Sequence, residues 1–309
     1  MIDLHTHSRF SDGSDTPSEL AQKAAALGLN AIALTDHDTT ASHDEMAAAC
    51  SQLGLELVAG VEVSLKDVEF VRPDAEGENK AVSVHVLGYF FPTDSHHPLQ
   101  LALESLRSDR DRRNRELVTL LNELGFTELT FDYLVAMAGS AVSIGRPHFA
   151  TAMFELHPET VGPRSDENWS RVFYEWLGQN GRAYIPKSQM TIEQFVAAGQ
   201  SSGVVFSIAH PLVNYLSGGS HDEIARVLPG VVASLRRRGI AGVEAYYGSC
   251  DEPTRQLVLK ITRDAGMIPT GGSDYHGTYK QDVALGRGRS GDLRVPDEVL
   301  DELKSARQY

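Results

Sequence analysis

Apolar residues along the chain follow two alternating rhythms, short unbroken runs that predict buried strands and repeats of about 3.6 residues that predict helices. Thr16-Pro17-Ser18-Glu19 has the form of a capping box with proline at the first helical position, and it predicts a helix to about Leu27-Gly28. Asn30 to Thr35 then reads as a strand ending in Asp36-His37-Asp38, followed by a helical stretch that includes Met46 to Cys50. Leu55 to Val63 predicts a strand carrying Glu62 near its end, and Ala81 to Tyr89 another carrying His85. Beyond Pro98 the texture changes to a long Arg-rich helical run through Leu124, then to a mixed, proline-containing stretch with Trp169 and Trp176. From Ser202 the alternation resumes. Strand Val204 to Ala209 ends at His210, helix His221 to about Arg238 leads to strand Gly242 to Tyr246, and helix Pro253 to Ala265 leads to strand Met267 to Thr270. Asp274 and His276 follow that last strand.

An alternation of this kind predicts a largely parallel sheet with helices outside, interrupted by an insertion. The expected organisation is 1–98 as the first part of an α/β barrel, 99–191 as an inserted, mostly helical substrate-specificity domain, and 192–309 as the second part. Candidate ligands fall at about six strand ends. Barrel closure explains that placement better than an open doubly wound sheet, which gathers polar groups at one switch point.

Composition narrows the picture without changing it. A chain of 309 residues with 41% hydrophobic content buries a substantial core unaided. Cys50 and Cys250 lie far apart and form no CxxC pair, which argues against a thiolate metal site or disulfide framework and for a reduced cytoplasmic setting. No apolar stretch approaches the roughly 20 residues of a bilayer span, and Met1 is the expected mature N-terminus. A net charge of -14 argues against binding long DNA or RNA through its phosphates. It leaves room for a small anion held by metals and a few arginines.

His5 and His7, two apart on a starting strand, project to one side and can face one ion. Asp12, in the turn Ser11-Asp12-Gly13, can swing to a second ion. With His37, Glu62, His85, His210, Asp274 and His276 at strand ends, the set offers imidazole and carboxylate but no thiolate, which suits manganese, zinc, iron or similar divalent ions. So many ligands exceed the needs of one ion. Two or three ions bridged by Glu62 or Asp12 would consume them, activate a water near neutral pH and clamp the oxygens of a phosphoryl group. Nothing resembles a GxSxG elbow or a P-loop.

Seven ordered motifs, His5-Thr6-His7, Ser11-Asp12-Gly13, Leu34-Thr35-Asp36-His37-Asp38, Gly60-Val61-Glu62, His85-Val86-Leu87-Gly88-Tyr89, Ala209-His210-Pro211 and Gly272-Ser273-Asp274-Tyr275-His276, together resemble the PHP family, the polymerase and histidinol phosphatase superfamily. The resemblance implies a distorted (β/α)7 barrel with a centre of two or three metals, usually manganese (Mn2+), with Zn2+, Fe2+ or Mg2+ as alternatives. It carries the family's ligands onto His5, His7, Asp12, His37, Glu62, His85, His210, Asp274 and His276. Asp12, His37 and His210 are the expected catalytic residues, the two histidines as candidates for the acid at the leaving 3′-oxygen.

Within the insert, Gly145-Arg146-Pro147-His148-Phe149-Ala150 and Ala183-Tyr184-Ile185-Pro186-Lys187 resemble the branch of 3′,5′-nucleotide bisphosphate phosphatases and related 5′ to 3′ exonucleases of short RNA. That resemblance implies removal of the 3′-phosphate from adenosine 3′,5′-bisphosphate, leaving AMP. Arg107, Arg110 and Arg113 recur along one helix edge, although Asp109, Asp111 and Glu116 among them make surface ion pairs a competing expectation. Arg110, Arg113, Arg146, His148 and Lys187 are the candidate contacts to the non-reacting phosphate, Arg146 and Lys187 because each sits in a segment with no helical pattern. Tyr247 is the candidate to stack a base. Short 5′-phosphorylated RNA and histidinol phosphate are alternative substrates. A different class is an amidohydrolase acting on C–N bonds, disfavoured because Lys66 and Lys80 flank their strands rather than ending one. A metal-stabilised interaction module is the non-enzymatic alternative. Oligomeric state is not legible from the sequence.

Overall fold

The structure, a computed structural model, describes all residues except 74–76, 78, 140, 179–180, 186–189, 217–218 and 308–309. It opens with β1 (Ile2–Asp3), α1 (Pro17–Ala26), β2 (Ala31–Leu34), α2 (His43–Leu53), β3 (Glu56–Pro73) and β4 (Asn79–Tyr89). Then come α3 (Pro98–Glu123), α4 (Phe131–Ala138), α5 (Arg146–Leu156), α6 (Pro158–Val161), α7 (Asp166–Val172), a π-helical turn at Phe173–Leu177, and α8 (Ile192–Ala198). The chain finishes with β5 (Val205–Ile208), α9 (Pro211–Tyr215), α10 (His221–Arg237), β6 (Gly242–Tyr247), α11 (Glu252–Asp264), β7 (Ile268–Gly272), a 3-10 turn at Gly277–Tyr279, and α12 (Glu298–Ser305). The expected capping box starts α1, with Thr16 accepting from the Glu19 amide and the Glu19 carboxylate accepting from the Thr16 amide.

Among the described residues the strands form one seven-stranded sheet in sequential order, β1 to β7. The pairs are parallel except β3 with β4 and β4 with β5, so β4 alone runs backwards. The cause is the connection. β3 reaches β4 without a crossover helix, and a short direct link can join only antiparallel strands. β3 is also far longer than the expected strand ending at Val63, because its second half stays paired with β4 to Pro73. Arg238, just past α10, anchors that extension with both terminal guanidinium nitrogens 2.8 Å from the Asp67 carboxylate, which also accepts from the Tyr215 hydroxyl at 2.6 Å.

The sheet curls until its ends meet. The Leu4 amide donates to the Gly271 carbonyl at 3.1 Å, and the Asp274 amide donates to the His5 carbonyl at 2.9 Å. A Cβ on Gly272 would lie 2.4 Å from the His5 amide nitrogen, so only glycine lets β7 come this close. Asp3, fully buried, completes the seam by accepting from the Ser273 amide, the Ser273 hydroxyl and the Gly286 amide. His5 and His7 therefore lie just beyond β1, not on it, in the seam between the first and last strands.

Two apolar cores bracket the site. Val61, Val63 and Leu65 of β3 pack outward with Leu103 of α3, Phe195 of α8 and Leu235 of α10. Strand alternation then turns Glu62 to the opposite, inner side. A second cluster gathers Leu121, Phe126, Leu134, Phe149, Met153 and Trp176, all from the predicted insert. Helix α3 belongs to both, since Leu99, Leu103 and Leu106 pack against the barrel while Leu117 and Leu121 pack in the second cluster. By packing, the insert's own core begins midway along α3 and not at residue 99.

Candidate metal centre

Just beyond three strands the chain turns through residues in left-handed backbone, Asp38 with φ 55° after β2, His210 with φ 28° after β5 and Asp274 with φ 58° after β7. Aspartate tolerates that region, whereas histidine there is strained, and such strain persists where surrounding contacts enforce it. Here the His210 amide is held at 2.6 Å by the Glu244 carboxylate. The Asp274 amide is held by the His5 carbonyl at 2.9 Å, and the Asp38 amide by the Glu62 carbonyl at 3.0 Å. The backbone is thereby bent so that the strand ends meet at one rim.

At the centre of that rim stands Glu62. Its Oε2 lies 3.3 Å from His5 Nε2, 3.1 Å from His7 Nε2 and 3.3 Å from His37 Nδ1. Its Oε1 lies 2.9 Å from His85 Nδ1 and 3.0 Å from His210 Nε2. Asp274 Oδ1 approaches His5 Nε2 at 3.6 Å and His7 Nε2 at 3.7 Å. Asp12 Oδ1 lies 3.5 Å from His276 Nε2, and its Oδ2 lies 3.8 Å from His37 Nε2. All nine side chains named from the sequence meet at this one place.

The donors fit divalent metal ions. Among the described residues, three overlapping groups have ligand atoms within 4.8 Å of one another, His5 with His7 and Asp274, His7 with Asp12, His37 and His276, and His37 with Glu62 and His85. His5 Nε2, His7 Nε2, Asp12 Oδ1 and His37 Nδ1 are buried without hydrogen-bond partners, though they face one another. A buried polar atom without a partner is costly, and a cation shared between these four resolves the deficit. Burial works against the charge of Glu62, yet the imidazoles of His37, His85 and His5 hold it well below the usual carboxylate range. Burial pushes His37 down to about 4 and also lowers His276, both toward the neutral form that ligates. His5 goes the other way. Despite burial, Glu244, Glu62 and Asp274 surround it and raise it well above the ordinary histidine value, which marks the spot that most demands positive charge.

Two supporting residues escaped the sequence pattern. Glu244, on β6, takes His5 Nδ1 at 2.8 Å and fixes which ring nitrogen turns to the centre. Lys280 donates to Asp274 Oδ2 at 2.7 Å, beside the Tyr247 hydroxyl at 3.1 Å. Tyr247 is thus engaged behind a ligand and does not line the cavity, which removes it as a base-stacking surface. Asp36 accepts from the hydroxyls of Ser8, Ser11 and Ser42 and braces the loops beneath.

A cavity of about 810 Å³ opens over the centre, lined on the metal side by Asp12, His37, His85 and His276. His210 is not part of that lining. Arg110, Arg113, Arg146, Arg164 and Lys280 bring positive charge to its wall. Arg110 is bound to Asp38 through its Nε at 2.8 Å and through Nη2. The expected surface ion pairs of α3 are made instead by Arg112, with Asp109 and Glu116. Arg113 is buried with no ion pair among the described residues, and its Nε has no partner. Burial, with Arg110 and Arg146 nearby, pulls it down to about 9. Arg146 is not in an irregular segment. It begins α5, with Pro147 in the first turn where a missing N–H does no harm. His148 accepts from the Gly145 amide at 3.1 Å and does not line the cavity, so its ring serves the helix start and not a ligand. Lys187 lies outside the described residues. The insert reaches the metal rim directly, since the Val142 amide donates to the Phe10 carbonyl at 2.8 Å and a Cβ on Gly145 would meet Asp12 Oδ2 at 3.0 Å.

A family model described as the PHP domain matches residues 3–157. The chain is 29% identical over 275 residues to a 5′-3′ exoribonuclease of Haemophilus influenzae, covering 89% of each. It is 29% identical over 277 residues to the 3′,5′-nucleoside bisphosphate phosphatase of Chromobacterium violaceum, covering 89% of this chain and 87% of that protein. A crystal structure of a proposed metal-dependent phosphoesterase from Bifidobacterium adolescentis superposes with a TM-score of 0.77 at 28% identity, covering 98% of this chain and 94% of that one.

Proposed function

The chain belongs to the PHP family of metal-dependent phosphoesterases, and from that premise we propose that it removes the 3′-phosphate of nucleoside 3′,5′-bisphosphates, taking adenosine 3′,5′-bisphosphate to AMP and phosphate. The observation that carries the substrate is Arg113, a buried guanidinium lining the cavity with no carboxylate in ion-pair contact among the described residues, the nearby Asp38 being held by Arg110. An uncompensated buried charge is costly, and a phosphate dianion offsets it with charge-assisted hydrogen bonds. Arg146 supplies a second guanidinium beside it, while Arg110 is already committed to Asp38 and sets the shape of the pocket. One phosphate ester at the metal rim and a second phosphate at Arg113 and Arg146 account for both features. The cavity volume suits a mononucleotide.

Two or three manganese ions held by His5, His7, Asp12, His37, Glu62, His85, His210, Asp274 and His276 would supply an activated water and offset the charge of the phosphoryl oxygens. The chain's own part is positional. Glu62 divides its two oxygens between the two sides of the rim, Asp12 and His37 face the cavity where the ester binds, and Glu244 holds the His5 ring. The insert, residues 99–191 by sequence, provides the phosphate contacts and hence the specificity. Lys66 and Lys80 lie within the paired strands β3 and β4 and end neither, so neither stands where a metal-bridging lysine of the amidohydrolase alternative would be expected. Free Cys50 and Cys250 agree with a reducing cytoplasm. Among the described residues no helix is long and apolar enough to cross a membrane.

The second reading, a 5′ to 3′ exoribonuclease on short RNA, has the support of the Haemophilus influenzae relative. Competition between adenosine 3′,5′-bisphosphate and a 5′-phosphorylated trinucleotide for the manganese-loaded protein separates the two. Our reading expects kcat/KM to favour the bisphosphate, and preference for the trinucleotide would replace it with the second. Glu244→Gln is expected to weaken metal affinity about 10- to 100-fold with the fold intact, as loss of a carboxylate behind a ligating imidazole does. Isothermal titration with manganese measures it, and an unchanged affinity would free Glu244 of that role.

A further inference from the structure

Part of the cavity wall is aromatic. Trp169 of α7, Phe173 of the π-helical turn and Tyr279 of the 3-10 turn after His276 all line it. Trp169 and Tyr279 come from segments 110 residues apart, one from the insert and one from the barrel, yet their rings lie within 24° of parallel with centroids 6.5 Å apart. Insert and barrel thus bring two near-parallel rings together in one cavity wall, and aromatic faces of this kind stack planar groups. Trp169 is fixed from behind. Phe154 lies 6.0 Å away at 10° to its plane, Phe173 lies 5.5 Å away, and the Ser165 hydroxyl caps α7 by accepting from the Asn168 amide. The exposed Arg164 guanidinium stands 4.8 Å from the indole centroid, so a base that stacks on that face takes the place of a flat, delocalised cation.

We propose that Trp169 and Tyr279 form an aromatic clamp point on the cavity wall, against which the nucleobase of the substrate stacks without its edges being read. The proposal rests on the nucleotide reading above and adds its specificity element, favouring nucleotides over sugar phosphates while tolerating different bases. Stacking is indifferent to base identity because every base has a π-face. A pre-set indole keeps the ordering cost of binding low. The clamp also needs both segments in place, which ties nucleotide binding to the contact between insert and barrel.

The experiment has a binding arm and a kinetic arm. The chain has 2 tryptophans, so Trp176→Phe leaves Trp169 as the only indole, and its fluorescence is followed as AMP or ribose 5-phosphate is added. Should Trp176→Phe fail to fold, the difference between the intact protein and Trp169→Phe reports the same signal. Quenching by AMP, but not by ribose 5-phosphate, is expected, and Tyr279→Leu should weaken it. In the kinetic arm, Trp169→Leu and Tyr279→Leu should each raise KM for adenosine 3′,5′-bisphosphate roughly 5- to 100-fold, the range for loss of one stacking partner. They should leave kcat/KM for the base-free analogue ribose 3,5-bisphosphate unchanged, and Trp169→Phe should restore most of the loss. Equal losses on both substrates, or no quenching by AMP, would overturn the clamp. If the intact protein hydrolyses neither bisphosphate, the preceding reading fails, and AMP quenching still decides the clamp.

Discussion

Replacing Glu62 by glutamine is expected to lower kcat on any phosphate ester by at least about 10³-fold, roughly 4 kcal/mol of transition-state stabilisation, while the protein stays folded. The size follows from position. Five imidazole nitrogens lie 2.9 to 3.3 Å from the two oxygens of this one carboxylate, so it is the group through which both sides of the rim communicate. Glutamine keeps the volume but removes the charge and turns one oxygen into a donor that cannot ligate. The fold should survive because the core behind Glu62 is built from Val61, Val63 and Leu65, which the substitution leaves alone. Thermal unfolding with and without manganese checks the cause. The intact protein should gain about 2.7 kcal/mol at a metal concentration of 100 times its Kd, and the variant should lose most of that gain. A variant that retains the metal-dependent gain and still loses activity would move Glu62 from ligand to reactant.

Arg113→Met should produce the second largest effect, a fall of about 10²-fold in kcat/KM for adenosine 3′,5′-bisphosphate with little change for 3′-AMP, which lacks the second phosphate. Losing a charge-assisted contact to a dianion is worth about 1.5 to 3 kcal/mol, and Arg146 remains to carry part of the load. The same substitution should raise the melting temperature of the ligand-free protein. Arg113 is buried without an ion pair among the described residues, and methionine fills a similar volume without a charge to desolvate. Opposite signs for stability and activity are the mark of a residue kept for a ligand. A fall on both substrates together with a lower melting temperature would assign Arg113 to structure instead.

Most of the metal ligands are legible because they are polar side chains that interrupt or follow short apolar runs, a pattern that survives in one dimension, whereas Asp12 sits in a turn and Glu62 and His85 lie within β3 and β4. Barrel closure was legible for the same reason. Glu244 left a fainter mark, a carboxylate inside the buried strand Gly242–Tyr247, which is anomalous unless something pairs with it. Lys280 left none, since it follows the last strand in irregular backbone and meets Asp274 only through the fold. The reversal of β4 depended on how β3 connects to it, a property of the link and not of either strand. In the sequence the Pro-containing segment around Arg146 shows no helical pattern, yet proline is at home at the helix start it makes there. The insert was recognisable by texture, but its division of α3 between two cores, and its meeting of Trp169 with Tyr279, are tertiary facts. Substrate contacts were therefore harder to name than ligands. Arg110, Arg113 and Arg146 do reach the cavity, whereas His148 and Tyr247 face other tasks.

The most direct test is phosphorus NMR of adenosine 3′,5′-bisphosphate incubated with the manganese-loaded protein. The 3′-monoester signal should disappear as inorganic phosphate grows, the 5′-monoester signal should persist as AMP, and a chelator should stop the reaction. Loss of the 5′ signal, or turnover unaffected by chelation, would contradict a metal-dependent phosphoesterase that holds the second phosphate at Arg113.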